Sequence, residues 1–249
     1  MTTTAGAPRF FIPDSLQPDS SISLPVDVIR HLQVLRIKPG DSITLFNGLG
    51  GEFPARLEDL AKKHAIATVL AHVPREVEPP YRVVLAQGVA GGDKMDWLIE
   101  KSVELGVHAI QPLTTERCVT RLGGERAERR VAHWQAVVSA ACEQCGRNSV
   151  PAVAPIMAFS NWISSVRDER QIRVLLSPRA SEGFESLPAT APAEPVVLLI
   201  GPEGGLSNQE EEQAGEAGFA PLNLGQRVLR TETAGIATLA ALATRWHGW

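Results

Sequence analysis

The 249-residue sequence predicts an α/β protein, in which a small β-rich domain precedes a larger domain built on a parallel sheet. Three observations predict this fold class. Short β-branched segments separated by turn residues fill the first third of the chain. Strand and helix patterns then alternate, as is typical of a doubly wound parallel sheet. One of those strands, Val196–Ile200, is apolar at every position, as expected for a strand buried on both faces of its sheet.

The N-terminal part of the chain is predicted to be a small barrel over residues 1–75. Its predicted elements are the strands Ser42–Phe46 and Ala65–Val73 and the helix Val26–Leu35. The segment Arg75–Pro80 places two adjacent prolines among charged residues, which predicts a stiff, solvated connector. We therefore expect the second domain to cover residues 80–249.

Strands and helices are predicted in turn along the second domain. The predicted strands are Arg82–Gly88, Val107–Leu113, Arg173–Leu176 and Val196–Ile200. The predicted helices are Asp93–Leu105, Glu125–Cys145, a helix that begins after Ser207, and Thr233–Trp246. Asp93 is expected to cap the first of these helices, and Gly106 to end it. Ser207, with Glu210 three residues later, predicts a capping box.

The composition is that of an ordinary globular protein. A net charge of −4 is unusual for a domain that binds nucleic acid. The three cysteines are too few for a secreted disulfide framework. Cys142 and Cys145 form a C-x-x-C at the end of a helical pattern, and no second such pair completes a zinc site. We expect no metal and a reducing, cytoplasmic setting.

The chain shows no pattern typical of a membrane protein. No apolar run approaches the ~20 residues that cross a bilayer. The N-terminal residues lack the basic and apolar regions of a signal peptide. We therefore expect no membrane association.

Two loops at predicted strand ends carry the strongest sign of a ligand site. Gly201–Gly205 follows the apolar strand, and a second break runs from Leu224 to Thr233. Ligands of open parallel sheets bind at the carboxyl ends of strands. The first loop matches neither common phosphate-binding motif, and it contains Glu203 but no lysine. A ligand with a cationic or neutral reactive end is favoured, although the first loop alone is equally consistent with a tight turn.

Polar residues crowd the start of the last predicted helix. Thr231 or Thr233 is expected to cap it, and Glu232 suits the positive end of the helix dipole. Arg230 is unfavourable at that end of a helix. We therefore expect Arg230 to pair with Glu203 or Glu232, or to meet an anion.

The motifs LLIGPEGGLSNQE and LGQRVLRTETA resemble the signature of the RsmE family. Members of this family are SPOUT-class methyltransferases that methylate N3 of a uridine in 16S rRNA of the small ribosomal subunit. The resemblance continues along the chain. The further matching segments are Arg9–Phe11, His31–Arg36 with Gly40-Asp41, Asp93–Trp97, Lys101 with Glu104–Val107, Pro112-Leu113, and Glu143-Gln144 with Arg147 and Pro151.

The resemblance implies a fold and a cofactor. It implies a PUA-like β-barrel and then a SPOUT domain whose C-terminal chain threads a deep trefoil knot. It implies a homodimer that binds S-adenosyl-L-methionine in the knot, where Glu203 suits the positive sulfonium. The residues assigned to the cofactor are Leu176, Ser177, Leu199, Ile200, Gly201, Pro202, Glu203, Gly204, Gly205, Leu224, Gly225, Val228, Leu229, Arg230 and Thr231.

The chemistry of uridine N3 suggests the catalytic residues. N3 must lose its proton before it attacks a methyl group, and negative charge then spreads over the uracil carbonyls. We expect Arg230 to stabilise that charge, with Arg9 as its rival. Glu232 is the first candidate for the base, and Glu203 the second. Both glutamates are also expected partners that hold the loops in shape.

Arginines are the expected RNA contacts, because N3 lies on the pairing edge and the target uridine must be unpaired. The assigned residues are Arg9, Arg36, Arg117, Arg121, Arg126, Arg129, Arg130 and Arg147. The alternative for the cluster between 117 and 130 is a solvated helix face. Three other functions stay open: a SPOUT methyltransferase that acts on another RNA such as tRNA, a non-catalytic RNA-binding protein, and a nucleotide-using enzyme.

Overall fold

A computed structural model describes residues 6–120, 122–167 and 170–249. The chain divides into two compact units. The first unit comprises Met1–Glu78 and Cys142–Val150, and the second comprises Pro79–Ala141 and Pro151–Trp249. The expected second domain, residues 80–249, includes residues 142–150, whereas the contacts of this segment group it with the first unit.

The first unit is built on a five-stranded sheet and one helix. Along the sheet the strands are β1 (Arg9–Phe11), β3 (Ser42–Phe46), β4 (Phe53–Leu60), β5 (Ala65–Val69) and β2 (Ser21–Ser23). β1 pairs with β3 in parallel, and the other pairs are antiparallel. Helix α1 (Val26–Val34) buries Val28, Ile29 and Leu32 in the core of this unit.

The second unit contains the predicted parallel sheet. Its strand order is β12 (Ala220–Leu222), β10 (Ile172–Leu176), β11 (Val196–Ile200), β6 (Val83–Gly88), β7 (Ala109–Thr114) and β8 (Ala152–Val153). A further strand, β9 (Met157–Ala158), pairs with β7, and every pair in this sheet is parallel. β11 lies between β10 and β6 and is buried along its whole length.

Helices alternate with the strands of this sheet along the chain, and some of them pack on each of its faces. They are α2 (Lys94–Glu104), α3 (Gly124–Cys145), α4 (Phe159–Ser165), α5 (Asn208–Glu216) and α6 (Thr231–Arg245), with a short 3₁₀ turn at Phe184–Ser186. Leu199 packs in the core beneath α4 and α5. A Cβ atom added to Gly235 of α6 would lie 3.0 Å from Ile200, so α6 lies against the opposite face of β11.

The helix ends confirm some of the predictions and correct others. Ser207 and Glu210 form the predicted capping box of α5, and Gly106 follows the end of α2 with φ +81°. Asp93 holds the N-cap position of α2, as predicted, but its side chain makes no capping hydrogen bond. α6 begins at Thr231, and neither Thr231 nor Thr233 caps it because Arg230 holds the capping position.

Within the described part of the chain, we find no helix with the length and apolarity required to span a bilayer.

Candidate functional site

A cavity of about 460 Å³ opens at the carboxyl ends of β10, β11 and β12. Such a volume suits a small-molecule ligand. Its walls are the end of β10, the loop after β11 and the loop that leads into α6. The predicted residues that line it are Leu176, Ser177, Ile200, Gly201, Pro202, Glu203, Gly204, Gly205, Leu224, Gly225, Val228, Leu229, Arg230, Thr231 and Glu232. The two glycine-bearing loops therefore converge on one site.

Leu199 is the predicted cofactor residue that does not line this cavity. Its side chain is fully buried in the core beneath α4 and α5. Successive side chains of a strand point to opposite faces, so Leu199 and its neighbour Ile200 face opposite sides of the sheet. Ile200 is the wall residue of this pair.

The loop after β11 folds back tightly on itself. A Cβ atom at Gly201 would lie 2.7 Å from the carbonyl carbon of Gly205 and 2.7 Å from the nitrogen of Leu206. The Gly205 N–H donates to the Pro202 carbonyl at 2.8 Å, and Gly205 has φ +68°. Glycine at positions 201 and 205 is therefore a requirement of the turn.

Glu203 is held by an ion pair that the sequence analysis did not predict. Lys94, the first residue of α2, lies 2.7 Å from the Glu203 carboxylate, which also accepts the N–H of Gly91 at 3.0 Å. Burial raises the pKa of Glu203, but these hydrogen bonds outweigh that effect and hold its pKa below the ordinary value. The expected pairing of Glu203 with Arg230 is absent among the described contacts.

Arg117 also holds the same loop. Its guanidinium donates to the carbonyl oxygens of Gly204, at 3.1 Å, and Leu206, at 3.2 Å. The preceding residue, Glu116, donates its backbone N–H to the Glu210 carboxylate at 2.8 Å. Arg117 was predicted as an RNA contact, and the structure gives it a role in the shape of the cavity wall.

A buried hydrogen-bond relay joins the two loops. Thr231 Oγ1 donates to the carbonyl oxygen of Gly201 at 2.6 Å. Gln87 Nε2 donates to Thr231 Oγ1 at 2.8 Å, to the carbonyl of Gly88 at 2.8 Å and to that of Gly201 at 3.3 Å. Gln87 is fully buried in β6. Gln87 is not among the residues predicted from the sequence, although an amide inside an apolar strand is a visible signal.

Arg230 and Glu232 present reactive groups at the cavity. The side chain of Arg230 is exposed and makes no hydrogen bond or ion pair with the described residues. Glu232 is partly buried, and its Oε2 atom is enclosed without a hydrogen-bond partner in the described structure. Enclosed carboxylate oxygens are normally hydrogen-bonded, so Glu232 Oε2 is suited to accept a donor from a ligand.

Arg9 and Arg147 lie in an internal network of the first unit. Arg9 donates to Glu52 at 2.5 Å and to the side chain of Asn148 at 2.6 Å. Arg147, whose side chain is only 5% exposed, pairs with Glu78 at 2.6 Å. The pKa of Glu52 is lowered, mainly by its hydrogen bond from Arg75. The network thus places both predicted RNA contacts inside the unit.

The remaining predicted RNA contacts lie nearer to solvent. Arg36 and Arg126 are exposed and have no described partner. Arg129 pairs with Glu125 of its own helix at 3.2 Å. Arg130 donates to the carbonyl of Gly92 at 3.3 Å and lies over the ring of Trp134. Arg121 falls outside the described residues.

Comparisons with known families define the class of protein. Residues 77–243 match a family described as RNA methyltransferase domain. Residues 24–70 match a family described as RNA methyltransferase PUA domain. Fold and site together define an RNA methyltransferase with an N-terminal PUA domain, and the predicted SPOUT fold class is confirmed.

Similar proteins specify the family more closely. A protein from Buchnera aphidicola subsp. Schizaphis graminum, called Ribosomal RNA small subunit methyltransferase E, is 33% identical over 96% of each chain. The enzyme of that name from Neisseria gonorrhoeae, crystallised with S-adenosyl methionine, is 41% identical, with a TM-score of 0.89 over 97% of this chain and 98% of its own. A methyltransferase from Legionella pneumophila in complex with the same cofactor is 35% identical, with a TM-score of 0.91 over 96% and 98%. The chain belongs to the ribosomal RNA small subunit methyltransferase E family.

The residues of the cavity fit this cofactor. Leu176, Ile200, Leu224 and Leu229 give the cavity apolar walls of the kind that suits an adenine ring, and the glycine loops contribute backbone polar groups to the same walls. Glu203 and Glu232 add carboxylates to the lining, which suits a ligand with a positively charged sulfonium. Across residues 6–120, 122–167 and 170–249, no cluster of histidine, cysteine and carboxylate side chains is arranged to hold a metal.

Proposed function

We propose that this protein transfers a methyl group from S-adenosyl-L-methionine to N3 of a uridine in 16S rRNA of the small ribosomal subunit. The observation that carries the proposal is the cavity where two glycine-bearing loops meet, joined by the hydrogen bond from Thr231 to Gly201. The name of the family to which the chain belongs specifies small-subunit ribosomal RNA as the substrate. The choice of N3 of uridine rests on the family resemblance.

We assign the cofactor to the walls of this cavity. Bound S-adenosyl-L-methionine supplies an electrophilic methyl group on a sulfonium. The residues proposed to hold it are Leu176, Ser177, Ile200, Gly201, Pro202, Glu203, Gly204, Gly205, Leu224, Gly225, Val228, Leu229, Arg230 and Thr231. Leu199 is left out because its side chain lies in the core on the other face of β11.

Two side chains are proposed to act on the uracil ring. The enclosed Oε2 of Glu232 accepts the N3 proton, which leaves the ring with a negative charge. The unpaired guanidinium of Arg230 stabilises that charge on the ring carbonyl oxygens. Glu203 is less suited to the proton transfer, since Lys94 and Gly91 already occupy its carboxylate. Arg9 is less suited than Arg230 to stabilise the charge on the uracil ring, because its terminal nitrogens already donate hydrogen bonds to Glu52 and Asn148.

RNA binding is assigned to arginines that keep their side chains in solvent. Arg36 and Arg126 are the strongest candidates, since both are exposed and have no described partner. Arg117, Arg129 and Arg130 are proposed to add positive charge. From the family resemblance we also propose a homodimer that uses α6, the C-terminal trefoil knot, and action in the cytoplasm, where ribosomal subunits assemble.

Methyl transfer to defined RNA substrates tests this function. The protein is incubated with isotope-labelled S-adenosyl-L-methionine and either small ribosomal subunits or bulk tRNA from cells that lack the enzyme. We expect label in 16S rRNA, recovered as 3-methyluridine by mass spectrometry of nucleosides. Label in tRNA alone would show that the substrate is tRNA and not 16S rRNA. Label in neither RNA would overturn the proposal.

The role of Glu232 is tested separately. Glu232→Gln keeps the shape of the side chain but removes its basicity. We expect this variant to lower kcat at least tenfold, which corresponds to a loss of about 1.4 kcal/mol or more of transition-state stabilisation. The Kd for the cofactor is expected to change little. An unchanged kcat would exclude Glu232 as the base.

A further inference from the structure

Gln87 carries an amide near the C-terminal end of β6, after four apolar residues, Val83–Ala86. Its backbone keeps the register of the sheet, opposite Ile200 on β11 and Pro112 on β7. The side chain is fully buried. Its Nε2 group donates toward Thr231 and Gly201, while its Oε1 atom has no hydrogen-bond partner among the described residues.

A buried amide with an unpaired oxygen is unfavourable for stability. Leaving such a group unsatisfied costs about 1–3 kcal/mol. The preceding positions of this strand, Val83–Ala86, carry apolar side chains, and strand pairing needs only the backbone at position 87. The presence of an amide here is therefore explained by the hydrogen bonds that its nitrogen donates to Thr231 and Gly201, since these bonds join the two loops of the cavity.

The chemistry of the amide fixes the direction of the relay. The Nε2 group is a hydrogen-bond donor only, so the Thr231 hydroxyl oxygen must accept from it. The proton of that hydroxyl is then directed away from Gln87. That proton then points to the carbonyl oxygen of Gly201, at a distance of 2.6 Å. Gln87 thereby sets the orientation of a residue that lines the cavity, although Gln87 is not itself part of the cavity wall.

We propose that Gln87 is a positioning residue of this enzyme, which acts through Thr231 to hold the Gly201 loop and the start of α6 in register. The inference rests on the proposed function. Thr231 is flanked by Arg230 and Glu232, so the same relay sets where those two side chains enter the cavity. Loss of the relay lets the loops separate and weakens the cofactor site, while the RNA-binding surface is unaffected.

Cofactor affinity in matched variants tests the inference. Gln87→Met keeps the length of the side chain and removes the amide. Thr231→Val keeps the shape and removes the hydroxyl, which interrupts the relay from its other end. By calorimetry we expect each variant to raise the Kd for S-adenosyl-L-methionine about tenfold, the effect of one lost buried hydrogen bond. The double variant is expected to raise it by no more than about the same factor, since both changes break one relay.

Two controls separate positioning from a general loss of structure. Gln111 on the neighbouring strand β7 also donates from Nε2 to two carbonyl oxygens, those of Pro112 and Pro155, each at 2.9 Å. It lies outside the cavity wall, so Gln111→Met is expected to keep the wild-type Kd. Thr231→Ser restores the hydroxyl and is expected to bind more tightly than Thr231→Val. The Kd for small-subunit RNA is expected to stay constant across the set.

The outcomes distinguish the inference from the function on which it rests. A wild-type protein that does not bind S-adenosyl-L-methionine would overturn both. Wild-type binding together with an unchanged Kd in Gln87→Met would overturn the role of Gln87 alone. Effects that add in the double variant would also overturn the relay. Should Gln87→Met fail to fold, the Thr231 variants decide, and no advantage of serine over valine would then overturn the relay.

Discussion

The ammonium nitrogen of Lys94 lies 2.7 Å from a carboxylate oxygen of Glu203, 109 positions further along the chain. This ion pair joins the start of α2 to the glycine-rich loop after β11. The backbone N–H of Gly91 donates to the same carboxylate oxygen. The loop that walls the cavity is thus fixed from the β6 side of the sheet as well as by the Thr231 relay.

Removing the ammonium group is expected to loosen the loop. We expect Lys94→Met to raise the Kd for S-adenosyl-L-methionine severalfold, within about 1 kcal/mol, since the pair is partly exposed. Calorimetry measures the change. The control is Lys101→Met, also on α2, which loses its pairs with Glu100 and Glu104 away from the cavity. Equal effects in the two variants would mean that the Lys94 pair has no special role at the site.

The same ion pair is expected to make the stability of the glycine-rich loop depend on pH. The pKa of Glu203 is lowered below its ordinary value of 4.5, so its contribution to the folded loop is complete above that value and is lost as the pH falls through the lowered pKa. We expect wild type and Glu203→Gln to differ in loop protection, measured by hydrogen exchange, at neutral pH. The difference should shrink as the pH falls below 4.5. A difference that persists unchanged at low pH would contradict this assignment.

A side chain at position 201 is expected to destroy the cofactor site. The Cβ atom of Gly201→Ala would meet the backbone of Gly205 and Leu206 at 2.7 Å, and backbone atoms yield less easily than a flexible side chain. We expect the Kd for S-adenosyl-L-methionine to rise more than about tenfold, with the protein still folded. Gly215→Ala in α5 is the control, because no atom lies within 4 Å of its added Cβ. Cofactor binding by Gly201→Ala at the wild-type Kd would show that the loop is not the binding wall.

Elements defined by local chemistry were predictable from the sequence. The strand Val196–Ile200 and the capping box of Ser207 and Glu210 are found at their predicted positions. Their signals are an apolar run and a spacing of three residues, and neither depends on distant partners. The cavity itself followed from the same reasoning, since glycines at strand ends marked both of its loops.

Features that depend on long-range contacts were not predictable. Leu199 and Ile200 are both apolar, so their residue types do not indicate which one faces the cavity. Lys94 meets Glu203 across 109 positions, and Gln87 meets Thr231 across 144. Arg9 contacts Asn148 across 139 positions, which places an expected RNA contact in an internal network. In each case a tertiary partner, absent from the local pattern, decides the role of the residue.

RNA affinity is expected to depend on Arg126. This arginine of α3 is exposed and has no described partner, so its charge is available to a phosphate. We expect Arg126→Gln to weaken binding of small-subunit RNA severalfold and to reduce the slope of log K against log salt by about 1. The control is Arg170→Gln, which removes an equal charge from an exposed arginine paired with Glu194. Equal losses in both variants would indicate a general charge effect rather than a contact.

Cys142 is expected to be chemically inert despite its place in a C-x-x-C sequence. Burial raises the pKa of its thiol to about 12, so almost none of the reactive thiolate is present near pH 8. Its Sγ atom also donates to the carbonyl of Ser149. We expect iodoacetamide at pH 8 to leave Cys142 unmodified in the folded protein and to label it fully in urea, as read by peptide mass mapping. The urea sample serves as the control for reagent and detection. Rapid labelling of Cys142 without denaturant would contradict its burial and reopen a redox role for this pair.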